Sequence, residues 1–260
     1  MNTISIIGAG NMGFAIAQGL VNSGQYKKGD IYLSTVDEKA AKAFVEEGYK
    51  VGSNKELLSA SKLVILVVKP WIAEDILAEI KADFTTEHVL ASCVTGLSSE
   101  TVFSYLGAET TFFRVMPNTG AMVGASMSSI ADFNANAEQK ELINNIFNSL
   151  GEVLFLPEDK MAAATAVAGC GTAYALRFIR AVTQAGVEIG LTPADAAKMG
   201  AQIAKGAAEL ILQNGTNPEA EIDKVTTPGG VTIVGLNEME KNGYSSAIIQ
   251  GILAAYKKAK

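Results

Sequence analysis

Short apolar runs alternate with amphipathic stretches through the first half of the chain. Thr3–Ile7, Ile31–Leu33, Leu63–Val68 and His88–Cys93 are rich in Ile, Val and Leu and too short for helices. Between them, Asn11–Ser23, Glu38–Glu47, Asn54–Ala60 and Ile72–Asp83 repeat apolar residues at helical spacing. Such alternation predicts βαβ units and a parallel sheet covered on both faces. Phe112–Met116 and Glu152–Leu156 predict two more strands, with a helix over Ala137–Leu150 between them.

The pattern changes after Pro157. No strand is predicted from Glu158 onward, so the expected domains are 1–157, α/β, and 158–260, all-α. Glu158 and Asp159 suit the positive end of a helix dipole. A long helix is expected from there to about Gly190, and a second from Pro193 to Asn214. Shorter ones are expected at Pro218–Val225, at Thr232–Lys241 and from Ser245 to the end. The long helix is apolar nearly all round: Val167, Ala168, Ala173, Leu176, Ile179, Val182, Val187 and Ile189 fit no single stripe. A small helical domain hides only part of a helix, so a second subunit is expected to cover the rest, as a homodimer. Met161–Leu176 carries no charge but is shorter than the roughly 20 residues that span a bilayer. It is rich in Ala, Gly and Thr, and Arg177 closes it. It reads as a helix buried in protein, with no membrane partner.

Composition narrows the chemistry. With 260 residues, 48% of them hydrophobic, the chain has material for a sizeable core. A net charge of −6 argues against nucleic acid, whose phosphates need a basic face. Two cysteines, Cys93 and Cys170, make no disulfide framework and point to a reducing compartment, the cytoplasm. No basic n-region precedes the first strand, so a signal peptide is not expected. His88 is the one histidine. It excludes a histidine metal site, and no metal is expected. It opens a strand, so any reaction here proceeds without a histidine acid or base.

Gly8, Gly10 and Gly13 form G-x-G-x-x-G between a strand and a helix. Such glycines permit a tight turn, approach of a pyrophosphate to the backbone, and close packing of helix on strand. The helix start then presents free N–H groups and partial positive charge to the phosphates. The motif reads as a dinucleotide cradle in a Rossmann-type sheet domain. Preference between NAD and NADP stays open. Asp37 either binds the ribose or caps the next helix, while Ser34, Thr35 and Lys39 are poor but present partners for a 2′-phosphate. Lys69-Pro70 and Arg114–Thr119 leave strands at the carboxyl edge of the sheet, where ligands bind in such folds.

A second glycine turn, Thr227-Pro228-Gly229-Gly230-Val231-Thr232, opens a helix with Ile233, Leu236 and Met239 on one face. The amides of Gly230, Val231 and Thr232 either cradle a small carboxylate or form a plain Pro-Gly turn with a threonine cap.

With these motifs in order, the chain resembles the pyrroline-5-carboxylate reductase family. The resemblance runs through IGAGNMG, VKP at Val68–Pro70, RVMPNT from Arg114, G-x-G-x-A-Y from Gly169 and VTTPGGVTIVGLNEMEK. It implies a Rossmann-type domain followed by an all-α dimerisation domain, with dimers sometimes joined into rings. It also implies NAD(P)H-dependent reduction of a cyclic imino acid held between the nicotinamide and the PGGVT helix start. Carried over residue by residue, it assigns Gly8, Gly10, Asn11, Met12 and Gly13 to the pyrophosphate. Ser34 and Thr35 fall near the adenosine ribose; Asn54, Val68, Lys69, Pro70, Val94, Thr95 and Asn118 fall along the dinucleotide. Thr227, Gly229, Gly230, Val231 and Thr232 fall to the substrate, with Thr232 beside the reacting nitrogen. NADP is the implied cofactor, with NAD as an alternative. Trp71, Gly120, Cys170 and Thr172 depart from the family's usual residues and leave substrate preference open. Cys170 is expected as a small buried packing residue.

Two other readings remain. One is a reductase of a related imino acid. A hydroxy-acid reductase fits less well, because it wants a lysine on the long helix, whose charges past its start are Arg177, Arg180 and Glu188. The other is a non-catalytic NAD(P)H-binding dimer.

Overall fold

A computed structural model describes residues 3–260. The described residues divide into two compact units, 3–170 with 256–260, and 171–255.

The first unit is built on an eight-stranded sheet. In chain order its strands are β1 (Ile4–Ile7), β2 (Ile31–Ser34), β3 (Lys50–Val51), β4 (Leu63–Leu66), β5 (Val89–Ser92), β6 (Thr111–Met116), β7 (Ser126–Phe133) and β8 (Gly151–Phe155). Their spatial order is β3-β2-β1-β4-β5-β6-β7-β8. All neighbours are parallel except β6 and β7, which pair antiparallel with Arg114 opposite Ala131. The order reverses direction at β1, whose neighbours are β2 and β4. A crevice opens at such a switch point, beyond the carboxyl ends of the strands.

Six helices cover the sheet: α1 (Asn11–Asn22), α2 (Glu38–Glu46), α3 (Asn54–Ala60), α4 (Ala73–Ile80), α5 (Ser99–Leu106) and α6 (Ala137–Asn148). Ile16 and Leu20 of α1, Phe44 of α2 and Ile143 and Phe147 of α6 pack with Ile4, Ile6, Phe113 and Val115 on one face. Leu57 of α3, Leu77 of α4 and Val102 of α5 pack with Ile7, Val64 and Phe112 on the other. Strands buried on both faces explain the unbroken apolar runs of β1 and β4. His88 is buried before β5. Its Nδ1 accepts from the Thr85 N–H (2.9 Å) and its Nε2 faces the Leu58 carbonyl (3.1 Å). It ties a loop to α3 and takes no part in a cleft.

The helix expected from Pro157 to Gly190 is interrupted. A short turn (Glu158–Lys160) leads to α7 (Met161–Ala164), then a wider π turn over Thr165–Gly169, then α8 (Gly171–Glu188). The Cys170 N–H reaches back five residues to the Thr165 carbonyl (2.9 Å), and the Thr165 hydroxyl donates to the Met161 carbonyl (2.8 Å). Glu158 anchors the start of this run. Its carboxylate pairs with Arg114 (3.2 Å) and accepts from both the N–H and the hydroxyl of Ser99 at the head of α5.

The second unit is helical: α8, then α9 (Pro193–Asn214), α10 (Pro218–Lys224), α11 (Val231–Lys241) and most of α12 (Tyr244–Ala259). Helices α8 and α9 form a hairpin in which Gly186 meets Ala196 so closely that a Cβ at 186 would lie 2.7 Å from the Ala196 Cβ. Within residues 171–255, Gly186, Ala196 and Gly200 are the buried residues. The expectation of a buried long helix therefore fails within one chain. The run Glu158–Glu188 is long and apolar enough to cross a membrane by length and composition, and 17% of its most apolar window is buried. Val167, Leu176 and Val187 on this run are exposed in the single chain.

Candidate functional site

The three glycines of the first turn do different work. Gly8 sits at φ +97°, and a Cβ there would fall 2.4 Å from the Val67 carbonyl oxygen. A Cβ at Gly13 would fall 2.4 Å from the Gly8 carbonyl oxygen. The chain's own backbone requires both. Gly10 is different: its φ is −80°, and a Cβ there would meet nothing within 4 Å. No contact inside the protein calls for glycine at 10. Gly10 is the N-cap of α1, no side chain caps that helix, and its first turn holds no acidic residue. The leading N–H groups of α1 are thus free for an anion.

This turn forms one wall of a cleft of about 880 Å³ at the carboxyl ends of β1, β2 and β4. Gly8, Gly10, Asn11 and Met12 line it with Ser34 and Thr35 from the tip of β2. Asn54 at the head of α3, Val68-Lys69-Pro70 after β4, and Thr95 after β5 complete that set. Residues scattered over almost ninety positions come together because parallel strands deliver all their loops to one edge. Gly13 packs behind the turn instead of on the wall. Val94 is buried in the core, and Asn118 is buried as well. The Asn118 side chain accepts from the Gly120 N–H (2.9 Å) and donates to the Ala168 carbonyl (3.3 Å), tying the β6–β7 connection to the π turn.

The π turn also contributes to the cleft. Thr165, Gly169 and Cys170 line it, beside Met116 and Pro117. Cys170 is half-buried on that wall, which corrects its expected place in the packing: the extra residue of the wider turn rotates it there. Cys93 lines the cleft too, and desolvation pushes its thiol far above the ordinary range. Gly120 has a local reason to depart from proline. A Cβ there would lie 2.5 Å from the Ala125 carbonyl oxygen, and its N–H is needed by Asn118. Trp71 is exposed and stands off the cleft wall.

Asp37 resolves the ambiguity left by the sequence. Its carboxylate accepts from the N–H groups of Lys39 (2.9 Å) and Ala40 (3.1 Å), so it caps α2. Ser34 therefore holds the tip of β2, with its hydroxyl on the Asn54 carboxamide (2.7 Å). Sequence reasoning missed Glu79, which lines the cleft from α4 and accepts from Asn54 (2.9 Å). Its place on an amphipathic helix gave no signal.

The second glycine turn lies in the second unit. Gly229 takes φ +69°, and a Cβ at Gly230 would lie 2.6 Å from the Thr227 Oγ1, so Thr227 shapes the loop. Gly230, not Thr232, is the N-cap of α11. The Gly230 N–H donates to the Thr227 carbonyl (2.9 Å), which removes it from the expected carboxylate cradle. The leading amides of α11, on Val231 and Thr232, have no side-chain cap and no acidic residue in the first turn. Val231 and Thr232 are exposed, and among the described residues the Thr232 hydroxyl has no partner.

Family matches fall on both ends of the chain. The family described as pyrroline-5-carboxylate reductase dimerisation matches residues 158–260. The family described as NADP oxidoreductase, coenzyme F420-dependent, matches residues 3–96. Pyrroline-5-carboxylate reductase 2 of Dictyostelium discoideum is 40% identical over 98% of this chain and 91% of its own length. The chain belongs to the pyrroline-5-carboxylate reductase family. Pyrroline-5-carboxylate reductase 1 of the same organism is 41% identical over 99% of the chain, which spans 49% of that longer relative. The crystal structure of Plasmodium falciparum pyrroline carboxylate reductase with NADP bound superposes with a TM-score of 0.91 at 31% identity. The match covers 99% of this chain and 97% of that one. A Rossmann-type sheet followed by helices is the fold of this reductase family, as the order of elements here shows.

Proposed function

We propose that the chain is a pyrroline-5-carboxylate reductase. It reduces the C=N bond of 1-pyrroline-5-carboxylate to give L-proline, with NADPH, and secondarily NADH, as reductant. Gly10 carries this reading within the structure: it is a glycine that no internal contact requires, at the uncapped head of a helix, on the wall of a cleft. The residues present fit a dinucleotide. The leading amides of α1 hold the pyrophosphate, Ser34, Thr35 and Asn54 meet the adenosine ribose, and Lys69 adds a positive charge to the wall. The NADP bound in the Plasmodium structure supports the same cofactor.

When bound, the reduced nicotinamide supplies the hydride. The chain's own residues orient the acceptor. The free amides of Val231 and Thr232 hold the substrate carboxylate at the positive end of α11. The unpartnered Thr232 hydroxyl takes a hydrogen bond from the protonated ring nitrogen, or relays a proton from solvent to the amine after reduction, receiving one from water as it gives one up. A protonated imine is already a strong electrophile, so positioning replaces a strong acid, which suits a chain whose histidine is spent on structure. The apolar surface of residues 158–260 is covered by a second copy, giving a homodimer in the cytoplasm, with rings of dimers as a further step.

The test is NADPH and NADH oxidation against pyrroline-5-carboxylate and its six-membered homologue. Expected is turnover with the five-membered ring and a lower rate with the larger one. Thr232→Val is expected to lower kcat/KM for the imine by roughly 10- to 100-fold while leaving dinucleotide affinity intact. Tight NADPH binding with no imine reduction would support the non-catalytic reading, and turnover indifferent to Thr232→Val would remove that residue's role.

A further inference from the structure

The cleft wall carries two charged side chains, Lys69 and Glu79, and neither glycine turn accounts for the acid. Glu79 sits on α4, where Leu77 and Ile80 face the core and Glu79 faces out. It ends a line of three side chains. The Asn54 Nδ2 donates to the Glu79 Oε2 (2.9 Å), and the Ser34 hydroxyl donates to the Asn54 Oδ1 (2.7 Å).

The direction of this line follows from chemistry. A carboxylate only accepts hydrogen bonds, so the amide nitrogen of Asn54 must face Glu79 and its oxygen must face Ser34. A serine hydroxyl has one hydrogen, and Asn54 takes it. Ser34 is left with lone pairs toward the cleft. In a doubly wound fold the tip of the second strand meets the adenosine ribose at its 2′ position. A free 2′-hydroxyl can donate to those lone pairs. A 2′-phosphate brings only acceptors and finds no donor in the Ser34 hydroxyl, so Thr35 alone offers it a hydroxyl hydrogen at the tip of β2.

We propose that Glu79 is a positioning residue that sets cofactor preference: by fixing Asn54, it holds Ser34 as an acceptor, so the cleft takes the dinucleotide lacking the 2′-phosphate alongside the phosphorylated form. This rests on the reading of the cleft as a dinucleotide site. With Gln at 79 either amide orientation is allowed. Asn54 then turns when a phosphate arrives, and Ser34 donates to it.

The experiment is calorimetric binding of NAD+ and NADP+ to the wild type, to Glu79→Gln, to Ser34→Ala and to the double variant. Because Glu79 is exposed, its replacement leaves the core intact. Expected is a shift of about tenfold in the affinity ratio toward NADP+ in Glu79→Gln, the scale of one hydrogen bond to a charged group. In the Ser34→Ala background the same change is expected to move the ratio by less than about twofold, because the coupling runs through the hydroxyl. An unmoved ratio in Glu79→Gln overturns the proposal. So does an equal shift with and without Ser34, which would mean plain charge repulsion. If the wild type binds neither dinucleotide, the reading of the cleft falls as well; if it binds both and the ratio stays fixed, the positioning role alone falls.

Discussion

The two units hold similar proportions of apolar residues and use them in opposite ways. Around the sheet, Ile4, Leu20, Leu63, Phe113 and Phe147 are fully buried, and the two cores on its faces close without outside help. In residues 171–255 the buried positions are two glycines and an alanine, while Leu176, Ile189, Ile203 and Leu212 stand in the open. Ordering a residue costs about 1–2 kcal/mol of backbone entropy, and a core of three small residues cannot offset that over a whole helical unit. The difference teaches that the first unit carries its stability within itself, whereas the second is half of a structure. The hydrophobic content of a segment says how much surface must be hidden; only the fold says whether the chain hides it alone.

Breaking that contrast should have the largest effect. Met199, Ile203 and Leu210 lie at helical spacing on α9 and are about half exposed. Met199→Glu with Ile203→Glu places two charges on a face that needs an apolar cover. Sedimentation is expected to change from dimer to monomer, the helical signal of the second unit to fall, and turnover to drop by at least about 100-fold. In contrast, charges on exposed positions of the first unit, such as Val36→Glu, are expected to leave sedimentation unchanged. If the α9 double variant sediments like the wild type, the cover lies elsewhere or the unit stands alone.

The glycine turn sharpens the comparison inside the self-sufficient unit. Gly13→Ala drives a methyl to 2.4 Å from a backbone oxygen, which is fixed by the strand and turn around it. Overpacking of this kind costs about 1–3 kcal/mol or more, so Tm should fall by several degrees. Gly10→Val puts its Cβ where no protein atom lies within 4 Å and keeps a backbone that any residue adopts. Thermal stability without ligand should stay near wild type, while NADPH affinity drops by about 100-fold or more because the side chain fills the ligand's place. Calorimetry and thermal melts on both variants check the pair. Equal loss of stability in the two would mean that Gly10 too is structural.

The alternation of strands and helices was legible because it follows from burial on both faces, and the glycine spacings located both turns. Strand β7 was not. Its sequence, SMSSIADF, buries Ser126, Ser128 and Ser129, and the Ser126 and Ser128 hydroxyls satisfy each other at 3.2 Å. Buried serines look like a polar loop in a hydrophobicity pattern, because satisfaction by hydrogen bonding is a tertiary event. Helix α5 had a readable start in Ser98, whose hydroxyl accepts from the Thr101 N–H, but its short apolar stripe concealed it. The π turn left no mark on composition, although its effect on Cys170 and on Asn118 reaches the site. Gly230's amide was assigned to substrate because a sequence shows where N–H groups lie along a chain and cannot show which are already spent. Glu79 was invisible for a related reason: its meaning comes from Asn54, twenty-five positions away.

The smallest expected effects lie where the second unit does pack. At Gly186 a methyl would sit 2.7 Å from the Ala196 Cβ, so Gly186→Ala must push α8 and α9 apart. At Gly200 the nearest atoms to an added Cβ are the Val182 Cγ1 at 3.3 Å and the Ile179 carbonyl oxygen at 3.4 Å, which a shift of a few tenths of an ångström accommodates. Alanine also gains about 0.8–1.0 kcal/mol over glycine in a helix interior. Gly186→Ala should therefore destabilise by about 1–2 kcal/mol, the overpacking outweighing the propensity gain. Gly200→Ala should come out within about 0.5 kcal/mol of wild type, because the two terms nearly cancel. Chemical denaturation at fixed protein concentration reads both. The same measurement at two concentrations decides whether the hairpin or the second copy limits stability, since a dimer's midpoint moves with concentration and a self-contained hairpin's does not.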